Sequence, residues 1–130
     1  MAYHSLYGRK LGIDENGVLR SQGALAIDEG TKTATAVAGA VTLSKLSGKI
    51  TTEALSTAAA ATYTLTLTNT KLLASDLIFV SVANGTNAVG TPAVATAKCA
   101  AGSASIVIQN IHASVALSGT LIISFTVQKA

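Results

Sequence analysis

From Thr31 onward, polar and apolar residues alternate along the chain in short segments separated by turn residues. Side chains of an extended strand point alternately to opposite faces, so this period of two predicts strands with one face buried and the other in water. "TATAV", "VTLSKL" and "KITTEAL" come first, separated by Gly39 and Gly48, and "TYTLTLTN", "DLIFVSVA", "AVATAKC", "SASIVIQNI" and "TLIISFTVQ" follow. "DLIFVSVA" is apolar on both faces for most of its length, which is the pattern of a central strand. "NGTNAVGTP", "AAGS" and "ALSG" carry the Gly, Asn, Pro and Ser that reversals need. One stretch, "ALSTAAAA", rivals this reading as a short helix and reads equally as a bulged crossover.

Strands at this spacing, with no long helical pattern, predict an all-β chain: an antiparallel β-sandwich or a jelly roll. The clearest segment is "ATYTLTLTNT", where Thr62, Thr64, Thr66 and Thr68 share one face and Tyr63, Leu65 and Leu67 the other. β-Branched Thr suits a half-exposed pleated surface, so the threonine row is read as the solvent face. An ice- or sugar-binding array would repeat T-x-T on several equal strands, and that repeat is missing.

Residues 1–30 read differently. They hold both Arg residues, two of the three Tyr residues and the acidic pairs Asp14/Glu15 and Asp28/Glu29. "DENG" is a turn signal between "RKLGI" and "VLRSQ", so this part is predicted to be an N-terminal extended arm with at most one hairpin, ahead of a domain at 31–130.

Composition narrows the function. A chain of 130 residues fits one domain. Its apolar side chains are mostly Ala, Val, Leu and Ile with no Trp, which predicts thin core layers and makes association between subunits a further source of stability. Lys32, Lys45, Lys49, Lys71, Lys98 and Lys129 are scattered among Thr and Ala rather than clustered beside aromatics, so no nucleic acid partner is expected. Cys99 is the sole cysteine, which excludes an intrachain disulfide and a cysteine-rich metal site and predicts a small buried hydrophobe. "MAYHSLYGRKLG" has no apolar signal core and no segment approaches the ~20 apolar residues of a membrane helix. The expectation is therefore synthesis in the cytoplasm, no membrane partner, and exit, if any, without a secretion signal.

The search for chemistry returns little. His4 and His112 stand far apart in the chain, without H-x-H, H-E-x-x-H or D-x-D-x-D spacing, so no metal residues are assigned. No phosphate loop is present, hence no cofactor site, and Asn84-Gly85-Thr86 is read as a turn rather than a glycosylation site. There is no G-x-S-x-G elbow, and Glu53 and Asp76 are the only acids after Gly30. A polysaccharide hydrolase would need those two close together on a groove. No catalytic residue is assigned, and the chain is expected not to be an enzyme.

Several stretches carry a likeness instead: "YTLTLTN", "VSVANGTN", "GTPAV", "NIHAS" and "ALSGTLIISF", spread over roughly the last two thirds of the chain. In these the chain resembles small phage structural proteins of the capsid decoration (cement) type. The resemblance implies a β-sandwich or jelly roll that sits as a homotrimer on the outside of the virion head, bound to the major capsid protein. A tail-fibre or spike module that binds a host-surface receptor or glycan is the alternative it leaves open. Residues 1–30 lie outside the likeness, and there Tyr3, Tyr7, Arg9 and Lys10 are the partner-binding candidates, since aromatic and Arg side chains most often anchor interfaces.

Overall fold

The computed structural model describes the backbone of residues 2–6, 9–21 and 28–130. Among these residues every regular element is a strand. β1 (Ala2–Leu6), β2 (Arg9–Ile13) and β3 (Leu19–Ser21) form an antiparallel three-stranded sheet. The hairpin expected at "DENG" joins β2 to β3, and β1 adds a strand to it. Asp14 makes the turn: its carboxylate accepts the backbone N–H groups of Asn16 and Val18 and the Arg20 guanidinium. The Arg20 bond first, and the backbone bonds after it, hold that carboxyl below its ordinary value.

The remaining strands are β4 (Thr33–Thr35), β5 (Ala40–Thr42), β6 (Ser47–Thr51), β7 (Thr62–Thr68), β8 (Leu77–Asn84), β9 (Pro92–Ala100), β10 (Ser103–Asn110) and β11 (Leu121–Gln128). They form the two sheets of a sandwich, in the orders β5-β7-β10-β9 and β4-β6-β11-β8. The β9–β10 hairpin stays within one sheet, and every other connection among these strands crosses to the opposite sheet. This alternation explains the exceptions to antiparallel pairing. β4 and β6 are separated by one excursion to the other sheet and return in the same direction, and so are β5 and β7; each pair is parallel.

Alternation fills the space between the sheets. Ile50, Leu65, Leu67, Ile106, Ile108, Leu121 and Ile123 are fully buried, each contributing roughly 1.5–3 kcal/mol by leaving water. The core is thus Leu and Ile at its centre, with Ala36, Ala104 and Cys99 among the smaller buried residues. Burial pushes the Cys99 thiol up, which leaves it an unreactive packing residue. The threonine row lies in water as the pattern predicts: Thr62, Thr64, Thr66 and Thr68 are exposed while Leu65 and Leu67 are buried.

Two local readings change and one open alternative resolves. Gly48 does not separate strands; it lies inside β6 opposite Phe125. A Cβ there would stand 2.8 Å from the Lys32 carbonyl oxygen, so glycine permits a close backbone approach. "ALSTAAAA" is no helix but part of the crossover from β6 to β7, where Leu55 exchanges backbone hydrogen bonds with Gly119. "DLIFVSVA" becomes β8 and lies at the edge of its sheet, not its centre.

Two carboxylates fasten the sandwich around the β7–β8 connection, joined through the Lys129 ammonium, which also donates to the Lys71 carbonyl. Glu29 accepts the Leu46 N–H at 2.7 Å and the Lys71 ammonium, while Lys45 donates to the Glu29 carbonyl. These ties to the sandwich begin just ahead of Thr31. Asp76 accepts the Leu73 N–H at 2.8 Å, the Ala130 N–H and the Lys129 ammonium. The Lys71 and Lys129 bonds lead in holding both carboxyls below their ordinary values of 4.5 and 3.8. A depressed folded value means the unfolded chain binds protons first, so this stabilisation is complete above the ordinary values and is lost as pH falls through the folded ones. Melting temperature should hold steady from neutrality to about pH 5 and fall below about pH 4, with a shallower fall in Asp76→Asn, as followed by circular dichroism.

Candidate functional site

Several strands run into a buried asparagine. Asn69 follows β7, Asn87 lies beyond β8, and Asn110 closes β10; they are 0%, 4% and 0% exposed. Asparagine offers both donors and acceptors, so it can satisfy loop backbone on two sides without burying a charge. Asn69 donates to the Lys45 carbonyl and accepts the Lys71 N–H. Asn87 accepts the Ser118 N–H at 2.7 Å and donates to the Asn84 side chain. Asn110 accepts the N–H groups of Thr91 and His112 and donates to the carbonyls of Thr57, Ala58 and Val115. Asn87 and Asn110 thus lock the loops at one end of the sandwich, which exposes Val89, Ile111 and Val115, while Asn69 ties the Lys45 and Lys71 segments at the other.

His112 belongs to this lock. Its Nδ1 accepts the N–H groups of Ser114 and Val115 at 3.1 and 3.0 Å, so Nδ1 carries no proton and the ring acts as a backbone cap. His112→Ala should cost about 0.5–2 kcal/mol in urea unfolding, and His112→Asn should recover part of it.

The acids are occupied in the same manner. Glu53 accepts the Gly39 N–H at 2.8 Å and the Tyr63 hydroxyl at 3.0 Å. Burial, with Glu53 alongside, pushes the Tyr63 phenol far above its usual value. Asp76 sits with Lys129 and Leu73, so the two carboxylates of the hydrolase alternative share no partner. Among the described residues no three His, Cys, Asp or Glu side chains gather where they could hold a metal ion. Among the described residues these carboxylates position loops.

The sheet edges are the less settled part of the surface. An edge strand presents unpaired N–H and C=O groups, and folds usually blunt it by shortness, proline, a bulge or lysine. β4 and β5 have three residues each. β9 starts at Pro92, shifts register opposite Val107/Ile108 and carries Lys98. β8 has none of these devices. It runs for eight residues without charge or proline, in unbroken register from Leu77↔Gln128 to Asn84↔Leu121. Its outer face exposes Leu77 (51%) and Phe79 (57%). Phe79 stands between two hollows: an open cleft of about 280 Å³ toward Ala97, Lys98 and Cys99 of β9, and a shallower one of about 310 Å³ beside Ser124 and Thr126 of β11.

Comparisons with protein-family models, curated proteins and solved structures give no match. Of the interface residues expected from sequence, Tyr3 lies in β1 and Arg9 and Lys10 in β2, with Ser5 opposite Lys10 and Leu6 opposite Arg9. Tyr7, and the side chains of Tyr3, Arg9 and Lys10, lie outside the described residues. Sequence reasoning missed the β8 edge, although part of its signal was present: Leu77 and Phe79 alternate with Ile78 and Val80, so apolar side chains fall on the outer face of this strand as well as the inner.

Proposed function

We propose that this chain is a non-enzymatic structural module of a phage particle, a decoration or cement protein that binds the outside of the head and ties neighbouring capsid subunits together as a homotrimer. The observation that carries the reading is the open apolar edge at β8, in a domain whose Glu29, Glu53 and Asp76 carboxylates all hold loops in place. Such a surface suits contact with other protein chains of an assembly, copies of this one included. The likeness of "YTLTLTN", "VSVANGTN" and "NIHAS" to capsid decoration proteins supplies the particle and the major capsid protein as partner. Many copies, each with a modest contact, add through multivalency.

Heads assembled without the chain should form normally but release their contents at lower temperature, and adding purified chain should restore resistance. Equal heat resistance with and without it would overturn cementing. Residues 1–10 supply the head contact in this reading, through Tyr3, Tyr7, Arg9 and Lys10. Deleting residues 1–10 should free the protein from heads while circular dichroism still shows a folded sandwich; retention on heads would reject that assignment.

The loop end that exposes Val89, Ile111 and Val115 favours a second reading, a fibre or spike tip that meets a host surface. Copy number separates the two: hundreds per particle mark a head protein, and a few to a few dozen mark a tail.

A further inference from the structure

The direction of the backbone groups along β8 follows from hydrogen bonds around it. Val127 N–H donates to the Leu46 carbonyl and Thr52 N–H to the Leu121 carbonyl, so the odd-numbered residues of β11 bond toward β6. Its even-numbered residues then bond toward β8, consistent with Gly85 N–H donating to the Thr120 carbonyl. In that register the odd-numbered residues of β8 face β11. Ile78, Val80, Val82 and Asn84 therefore turn their N–H and C=O groups away from β11, to the edge beside the β9 cleft, since among the described residues β11 is the only strand bonded to β8.

We propose that this edge is completed by a second copy of the same chain, β8 pairing antiparallel with β8 about a two-fold axis at Val80. Three observations select this occupant. The strand reads in sequence as a central one, and among the described strands only β11 bonds to it. Side-chain size falls along its outer face, from Leu77 and Phe79 to Ser81 and Ala83. A two-fold axis at Val80 sets Phe79 across from Ser81 of the second copy and Leu77 across from Ala83, large beside small in both directions. On the inner face Ile78 meets Val82, and these half-buried side chains gain cover from each other. Finally, β8 and the facing residues of β11 hold no ionisable group, so the two paired strands bring no like charges together, and the cation beside the edge is Lys98 of β9, across the cleft.

The pairing joins the two sheets into one that is continuous across the axis, and it does not depend on the capsid reading. It doubles the assembling unit, whether that unit is one chain or three. Val80→Pro removes an N–H that points to the open edge and none from the ladder to β11, so the sandwich should stay folded. Sedimentation equilibrium should find wild type at twice the mass of Val80→Pro, with both giving the same far-ultraviolet spectrum. Phe79→Lys, on an exposed position, should halve the mass as well. Wild type and both variants at one common mass would overturn the proposal. Heads that resist heat equally without the protein, alongside a halved mass in Val80→Pro, would sink the cement reading alone.

Discussion

Asn110→Ala is expected to lower the free energy of unfolding by about 3–5 kcal/mol, a large share of the ~5–15 kcal/mol that holds a domain of this kind together. The side chain is fully buried and answers backbone groups on several segments: Thr91 and His112 as donors, and Thr57, Ala58 and Val115 as acceptors, the last at 2.8 Å. Each group left without a partner costs about 1–3 kcal/mol, less where the loosened loop lets water reach it. Asn110→Asp separates the two halves of the lock. Its carboxylate still accepts from Thr91 and His112 but faces three carbonyl oxygens, so it should be at least as damaging as Ala at neutral pH and partly recover in mild acid, where a protonated oxygen can donate. Urea midpoints with unchanged slope would measure all three proteins, and Thr64→Ala on the exposed threonine row should stay within about 0.5 kcal/mol of wild type. A loss below about 1 kcal/mol for Asn110→Ala would mean that the loops do not depend on this residue.

The same residue shows where sequence reading stops. Period two along Thr62–Thr68 identifies the wet and dry faces of a strand because burial follows side-chain direction, a local property. Asn69, Asn87 and Asn110 each stand in a quoted motif, "YTLTLTN", "VSVANGTN" and "NIHAS", yet a buried Asn and a solvated turn Asn look alike along the chain. What distinguishes them is the distant backbone that arrives around each, Lys45 for Asn69 and Thr57 for Asn110. Strand neighbours are non-local in the same way. "DLIFVSVA" states that both faces are apolar, but position in a sheet depends on which strands come to pair with it, and among the described strands one does. The misplacement of β8 is informative for that reason. A local pattern asking for two neighbours, in a fold whose described strands give one, points to the candidate interface more directly than Tyr3, Tyr7, Arg9 and Lys10 do.

Gly119→Ala should be more damaging still, leaving little folded protein at 37 °C. "ALSG" is legible as a reversal, but the reason for its glycine is spatial. Gly119 has φ of 131°, and a Cβ built there would lie 2.6 Å from the Asn87 nitrogen and 2.7 Å from the Thr86 carbonyl carbon. Both obstacles are backbone, held in place because Asn87 N–H donates to the Thr120 carbonyl and the Asn87 side chain accepts the Ser118 N–H. Gly119 also exchanges two hydrogen bonds with Leu55, so it cannot retreat without freeing the β6–β7 crossover. Gly102→Ala supplies the comparison. It too has positive φ, 76°, but a Cβ there meets nothing within 4 Å, so its cost should be the conformational one of about 1–2 kcal/mol. Thermal melts of the two variants separate backbone conformation from crowding. If Gly119→Ala melts as high as Gly102→Ala, the β8–β9 loop gives way readily and the loop end is softer than its hydrogen bonds imply; if it fails to fold while Gly102→Ala does, close packing of three loops at Gly119 is what fixes that end of the sandwich.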